Sequence, residues 1–179
     1  NDLPFMQALD AKAVEIVRQQ VRKELNAPRT SSMGRLFDAV ASLVGVRSDV
    51  SYEAQAAIEL EVLSKRFVNG AASYPYQIQD GIMLLGDLLQ GVIDDVRSNQ
   101  PAGLIGARFH QTLCAMAVDI CKSTRNDTGI NEVALSGGVW QNQTLLTLTR
   151  ERLSNGNFVV YSHNQTPAND GGLALGQAV

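Results

Sequence analysis

Two glycine-containing loops carry the residue types best suited to chemistry. In the first, Ser136-Gly137-Gly138-Val139-Trp140-Gln141-Asn142 follows the short apolar run Glu132–Leu135. Glycines lack a Cβ, so their backbone can approach an anion or a ribose closely, and the N–H groups of a following helix start can donate to phosphate. Asn142, about one turn into that helix, offers an amide to a phosphate oxygen or a base edge. The same Gly-Gly pair also serves as a simple sharp turn, and the run is neither a Walker loop nor G-x-G-x-x-G. The second loop is Thr166-Pro167-Ala168-Asn169-Asp170-Gly171-Gly172. Asp170 precedes two glycines and a helix, which suits an N-cap carboxylate as well as an oxygen ligand for a divalent cation.

Other reactive residue types are less well placed. His110 and Cys114 stand at i, i+4, the spacing of a metal pair, but further tetrahedral ligands are not evident and packed core side chains are expected. His163 has no carboxylate or nucleophile partner visible in the sequence and reads as a polar loop residue. Asp94, Asp95 and Arg97 read as a solvated helix end. No G-x-S-x-G nucleophile elbow occurs. Cys114 and Cys121, seven apart in a helical stretch, share a face without being able to close a bridge there, so buried reduced thiols are expected.

The elements that position these loops follow from apolar spacing. Leu9, Ala13, Ile16, Val17, Val21 and Leu25 recur at threes and fours over Ala8–Leu25, and Pro28 ends that helix. Thr30, Ser31 and Ser32 offer N-cap hydroxyls to a helix carrying Leu36, Phe37, Val40 and Leu43, with Gly45 as its stop. Tyr52–Val68 is expected helical through Ala56, Ala57, Leu60, Leu63 and Phe67. A break over Asn69–Gln79 precedes two more helices, Gly81–Arg97 and Leu104–Ser123, separated by Pro101. After Asn126 the character changes. Glu132–Leu135 and Phe158–Tyr161 read as strands, with Gln141–Leu153 helical between them. A βαβ unit of parallel strands results. Ligands of open α/β sheets bind at the carboxyl ends of strands, where both glycine loops lie.

Composition narrows the classes. The 179 residues are 45% hydrophobic and 18% charged, ordinary for a globular domain. Fifteen Lys and Arg against eighteen Asp and Glu give a net charge of −3 and a pI near 5.3, without the dense positive field of a nucleic-acid binder. No apolar run reaches membrane-spanning length. Asp2, Asp10, Lys12, Glu15 and Arg18 do not read as a signal peptide, and a cytoplasmic protein is expected. Residue 1 is Asn, which points to a processed start or a chain cut from something longer.

Thr30-Ser31-Ser32-Met33-Gly34-Arg35-Leu36-Phe37-Asp38-Ala39-Val40-Ala41 resembles a signature of the HypF family, the carbamoyltransferases of [NiFe]-hydrogenase maturation. Further blocks resemble the same family in the same order: residues 52–61, Ala107-Arg108-Phe109-His110, Ala134–Val139 with Gln141 and Asn142, and Pro167–Gln177. The resemblance implies an α/β, helix-rich lobe of an actin/Hsp70/sugar-kinase-like (RNase H-like) fold with a short, mainly parallel sheet. Residues 1–179 would form a single lobe, helical over about 1–125 and βαβ over about 130–179.

The resemblance further implies that carbamoyl phosphate and ATP yield carbamoyl-adenylate, whose carbamoyl group passes to the C-terminal cysteine of a HypE-like acceptor. By position, Asp38 would contact the ribose, with Glu53 as a second contact. Gly137, Gly138 and Asn142 would hold adenosine and phosphate, and Asp170 would ligate a divalent metal (Mg, Zn or Fe). The family's upstream His-x-x-x-His metal motif is missing, since His110 and His163 are the two histidines present. So are the acylphosphatase-like, zinc-binding and adenylate-forming modules. A C-terminal lobe, inactive by itself and carrying half of a nucleotide and metal site, is therefore expected, with no nucleic-acid or membrane partner. A threonylcarbamoyl transferase of tRNA modification and a non-catalytic nucleotide-binding or interaction lobe are the alternatives. The acidic pI and the block at residues 31–37 argue against the first.

Overall fold

A computed structural model describes residues 3–7 and 9–178. Its centre is a 27-residue helix, α6 (Ala102–Thr128), against which α4 (Gln55–Ser64), α5 (Gly86–Arg97) and α7 (Gln143–Asn155) pack. Pro101 precedes α6, where its missing N–H costs nothing, and its carbonyl accepts from Leu104 and Ile105. Gly129 ends the helix at φ 74°, a left-handed cap that glycine adopts without strain. Phe37, Leu60, Leu88, Ile105, Phe109, Met116 and Leu153 fill the core around α6.

Close approach of α4 to α6 depends on two glycines. A Cβ on Gly103 would lie 2.4 Å from the Leu63 carbonyl oxygen, and one on Gly106 would lie 2.2 Å from Ser64 Oγ. Ser64 is fully buried and turns its hydroxyl back onto the Leu60 carbonyl at 2.6 Å.

The βαβ unit forms as its spacing requires. Strands β3 (Glu132–Leu135) and β4 (Val159–Ser162) pair in parallel, Glu132 opposite Val159 through Leu135 opposite Ser162, and α7 crosses between them. Leu145 and Leu153 are its buried contacts with the core.

The helical half departs from the expected boundaries. Ile82–Leu84 (β2) is a strand, not helix, pairing antiparallel with Gln77–Gln79 (β1). Asp80 and Gly81 form the two-residue turn with φ 51° and 75°, the backbone that matches hairpin twist. Helix α5 consequently starts at Gly86. Gln55–Ser64 is shorter than the expected Tyr52–Val68, since Tyr52-Glu53-Ala54 is a turn with Ala54 at φ 60°.

Asp10 caps α2 (Ala11–Lys23) and Ser32 caps α3 (Met33–Leu43), accepting from Lys12 and Arg35. The expected first residue of the α2 helix, Ala8, lies outside the described residues. On α2, Ile16, Val17 and Val21 are all more than half exposed, so its apolar stripe joins no core. A short helix, α1 (Pro4–Gln7), precedes α2, and α8 (Leu173–Ala178) follows the second glycine loop. Among the described residues, no helix is long and apolar enough to cross a membrane.

Alanine at Gly103 or Gly106 gains about 1 kcal/mol in helix propensity but forces overpacking that costs about 1–3 kcal/mol. A net loss of stability is expected at both positions in chemical denaturation. Gly103→Ala should be the worse, because its obstacle is backbone whereas the Ser64 hydroxyl can rotate.

Candidate functional site

The loops that leave β3 and β4 are fastened to one another. Gly137 donates its N–H to the Ala168 carbonyl at 2.9 Å. His163 bridges the same gap, its Nε2 3.0 Å from Ser136 Oγ and its Nδ1 3.3 Å from Thr166 Oγ1. His163 is thus a tie between loops, a role the sequence alone did not display. Gly137 has φ 106° and ψ 158°, a conformation essentially reserved for glycine. A Cβ on Gly138 would meet Asn169 Cβ at 3.7 Å, so the two loops are in van der Waals reach. A cavity of about 150 Å³ opens between them, lined among others by Trp140, Gln141, His163, Thr166 and Ala168.

At the start of α7 the N–H groups of Thr144, Leu145 and Leu146 already have acceptors within the protein. Asn142 is not inside α7 but is its N-cap, with Oδ1 accepting from the Leu145 N–H at 2.8 Å. Glu61, buried on α4, accepts from the Thr144 N–H at 3.0 Å and from the Thr144 hydroxyl at 3.1 Å. Of the first four N–H groups of this helix, three are thus turned to the protein, and that of Gln143 is the one with no acceptor among the described residues. The protein's own carboxylate takes the favourable place at the helix dipole. Ahead of α7, Gly138–Gln141 forms a 3-10 turn, and among the described residues no acceptor meets the N–H of Gly138 or Val139.

Asn142 also reaches into the core. Its Nδ2 lies 2.9 Å from His110 Nε2, and His110 Nδ1 lies 2.7 Å from the Gly106 carbonyl. The carbonyl can only accept, which assigns the proton to Nδ1 and leaves Nε2 as acceptor. Burial pushes the His110 imidazole below its ordinary value, opposed by the Gly106 carbonyl and the Glu61 charge. The His110–Cys114 pair is core, as expected. Cys114 is fully buried, and burial raises the thiols of both Cys114 and the half-buried Cys121.

The carboxylates expected at the site fall into different settings. Asp38 is half-buried on α3 and pairs with Arg35 at 3.1 Å, and α3 packs against the 3-10 turn after Gly137. Glu53 is exposed in the turn before α4 and makes no hydrogen bond or ion pair to either loop among the described residues. Asp170 is exposed and does not act as a cap. Asn169 has that place, its Oδ1 accepting from the Gly171 N–H at 3.1 Å. The Asp170 carboxylate is left unused by the fold. Among the described residues no group of three or more His, Cys, Asp or Glu stands together to hold a metal ion, so Asp170 by itself does not make a metal centre.

Asp95 overturns the expected solvated helix end. It accepts from the Tyr74 hydroxyl at 2.6 Å and from Arg108 at 2.8 Å, half enclosed, and burial together with this carboxylate pushes the Tyr74 phenol far up. Tyr76 donates to Asp119 in the same manner, and burial first, then Asp119, pushes its phenol up to about 12. The contacts of Glu61 with Thr144 and of His110 with Asn142 were not anticipated from the sequence. Glu61 had a signal, since it sits four residues after Ala57 on the apolar stripe of its helix.

A family model described as "Carbamoyltransferase, Kae1-like Domain, second subdomain" matches residues 1–177. The chain is 35% identical over 166 residues to the carbamoyltransferase HypF of Rhodobacter capsulatus, covering 92% of this chain and 21% of the relative. It is 33% identical over 168 residues to the carbamoyltransferase HypF of a Synechocystis species, covering 89% and 20%. Among solved structures, full-length HypF in a phosphate- and nucleotide-bound form superimposes with a TM-score of 0.91 at 39% identity, over 97% of this chain and 23% of that one. The chain thus spans about a fifth of the length of these curated relatives.

The buried imidazole makes stability depend on pH. Its folded value is lowered, so its neutral form contributes fully above the unfolded value of about 6.5. The contribution declines as pH drops below about 6.5 and goes on declining until the lowered folded value is reached. Unfolding free energies measured at pH 7.5 and 5.5 should therefore fall more for the parent than for His110→Gln, by up to about 1.4 kcal/mol per pH unit below 6.5.

Proposed function

The chain belongs to the HypF carbamoyltransferase family, and on that premise we propose that it is the C-terminal lobe of a cytoplasmic carbamoyltransferase, carrying half of a nucleotide and metal site. In this reading ATP and carbamoyl phosphate give carbamoyl-adenylate elsewhere in the full-length protein. A thiolate at the C-terminal cysteine of a HypE-like acceptor attacks the carbamoyl carbon. A C–S bond forms, the C–O bond to phosphate breaks, and AMP departs. The carbamoyl group is destined for the cyanide ligands of [NiFe]-hydrogenase. The nucleophile belongs to the acceptor, which agrees with the burial of Cys114 and its raised thiol.

The observation that supports this most is the fastening of the two strand-end loops. Gly137 N–H to Ala168 and His163 to Ser136 bring the unpaired amides of Gly138 and Val139 beside the loop that carries the unused Asp170 carboxylate. Backbone donors and one carboxylate, set at the carboxyl ends of parallel strands, are suited to a nucleotide with its counter-ion. Gly137, Gly138 and Asn142 are read as holding adenosine and phosphate, with Asp38 at the ribose. Glu53 takes a second ribose contact in this reading. Asp170 is read as one ligand of a divalent cation (Mg, Zn or Fe) whose other ligands come from outside this chain. The remaining modules of a HypF-like protein would supply those ligands, and the lobe alone would be inactive.

The test uses the full-length protein, its acceptor, and labelled carbamoyl phosphate, with label on the acceptor cysteine as the readout. Asp170→Ala should lower transfer by about 100-fold or more, because charge stabilisation by a metal is worth several kcal/mol. Asn142→Ala should weaken ATP binding as well as transfer. Undiminished transfer in both variants would replace this reading with that of a non-catalytic interaction lobe.

A further inference from the structure

An asparagine amide is nearly symmetric in shape, so a fold that depends on one orientation must specify it through hydrogen-bond polarity. At Asn142 the specification begins one helix away. The Gly106 carbonyl, 2.7 Å from His110 Nδ1, requires a donor there and so leaves Nε2 as an acceptor. Nε2, 2.9 Å from Asn142 Nδ2, requires the amide nitrogen on its side. The oxygen then faces the Leu145 N–H at 2.8 Å and caps α7. Reversing the amide would exchange two bonds for two repulsive contacts, Oδ1 against the Nε2 lone pair and Nδ2 against an N–H. The ring cannot turn to accommodate that reversal. It is fully buried, edge-on to Phe37 at 5.2 Å and to Phe109 at 6.1 Å between centroids.

We infer that His110 is a positioning residue for nucleotide binding: its Nε2 acceptor holds the Asn142 amide in one orientation, so that the second Nδ2–H of this partly exposed side chain is kept for the ligand. The inference rests on the reading of Asn142 as a nucleotide contact. It assigns to the HypF-like block at residues 107–110 a purpose beyond packing. The histidine sits in the core yet determines which polar atom the site edge presents.

A double-mutant cycle on ATP affinity tests this, read in the full-length protein from the concentration dependence of photolabelling of this lobe by an azido-ATP analogue, so that nucleotide held by the adenylate-forming module is not counted. His110→Phe keeps a ring in the core and removes the acceptor, and it should weaken ATP about tenfold, the scale of one hydrogen bond. In an Asn142→Ala background the same change should alter affinity less than about twofold, since nothing remains to be oriented. His110→Gln restores an acceptor near the Nε2 position and should recover most of the affinity. Thermal unfolding of each variant confirms that a folded protein is titrated, and the Gln variant decides the matter should His110→Phe fail to fold. Additive losses, or a folded His110→Gln that stays as weak as His110→Phe, would overturn the positioning role. ATP affinity unchanged by Asn142→Ala would overturn the nucleotide reading itself, so the two failures are told apart.

Discussion

A helix start enclosed by a second layer of structure has to find partners for its N–H groups inside the protein. That constraint at α7 organises everything around it. Asn142 serves the Leu145 amide from the chain itself, and Glu61 reaches across from α4 to serve Thr144. Each solution creates a further obligation. A buried carboxylate is stable only when paired, and Glu61 finds the Thr144 hydroxyl and, at 3.9 Å, Lys65. The capping amide needs a partner for its nitrogen, and His110 on α6 provides it. Three helices are thereby bound at one point by polar contacts that no apolar substitution can reproduce. Gly103 and Gly106 are the steric counterpart, since without their missing side chains α4 would stand too far from α6 for Glu61 to arrive.

In the proposed reading, structure and ligand recognition therefore fall to different atoms of one small region. The N–H groups of Thr144, Leu145 and Leu146 and the Asn142 oxygen are consumed by the fold. What the fold leaves over lies on the loops and at the first residue of α7: the N–H groups of Gly138, Val139 and Gln143, the spare Asn142 hydrogen and the Asp170 carboxylate. The electrostatics follow the same division. Negative charge at the α7 dipole is the protein's own, while the loop carrying Asp170 is exposed, where a charged group costs little to keep unpaired.

Local pattern explains what could be read in advance. The β3–α7–β4 unit was legible because strand, helix and strand follow in uninterrupted sequence order and each shows its own periodicity. Both glycine loops could be located for that reason, and the ordered blocks resembling the HypF family placed Asp38, Asn142 and Asp170 on them or beside them. What escaped was set by distant partners. Nothing near Asp95 announces Tyr74 and Arg108, and nothing near Asn142 announces His110. The spacing around Ile82–Leu84 suits a helix because three residues cannot distinguish a period of two from one of 3.6, and the local sign of the hairpin is confined to the turn at Asp80-Gly81. Asn169 displaced Asp170 as a cap since adjacent residues of similar capping aptitude are separated only by backbone angles.

The clamp from Glu61 onto Thr144 closes a loop of 83 residues, whereas the one from His110 onto Asn142 closes 32. Chain entropy makes the longer closure costlier by about 0.8 kcal/mol. During folding, then, α6 and the βαβ unit can associate first through the shorter loop, with α4 arriving afterwards. Until it does, the Thr144 amide must stay hydrated and the first turn of α7 is free to fray. The edge formed by the α7 start and the loop before it would therefore be among the last parts to acquire its final shape, and its order would report on the packing of α4 behind it.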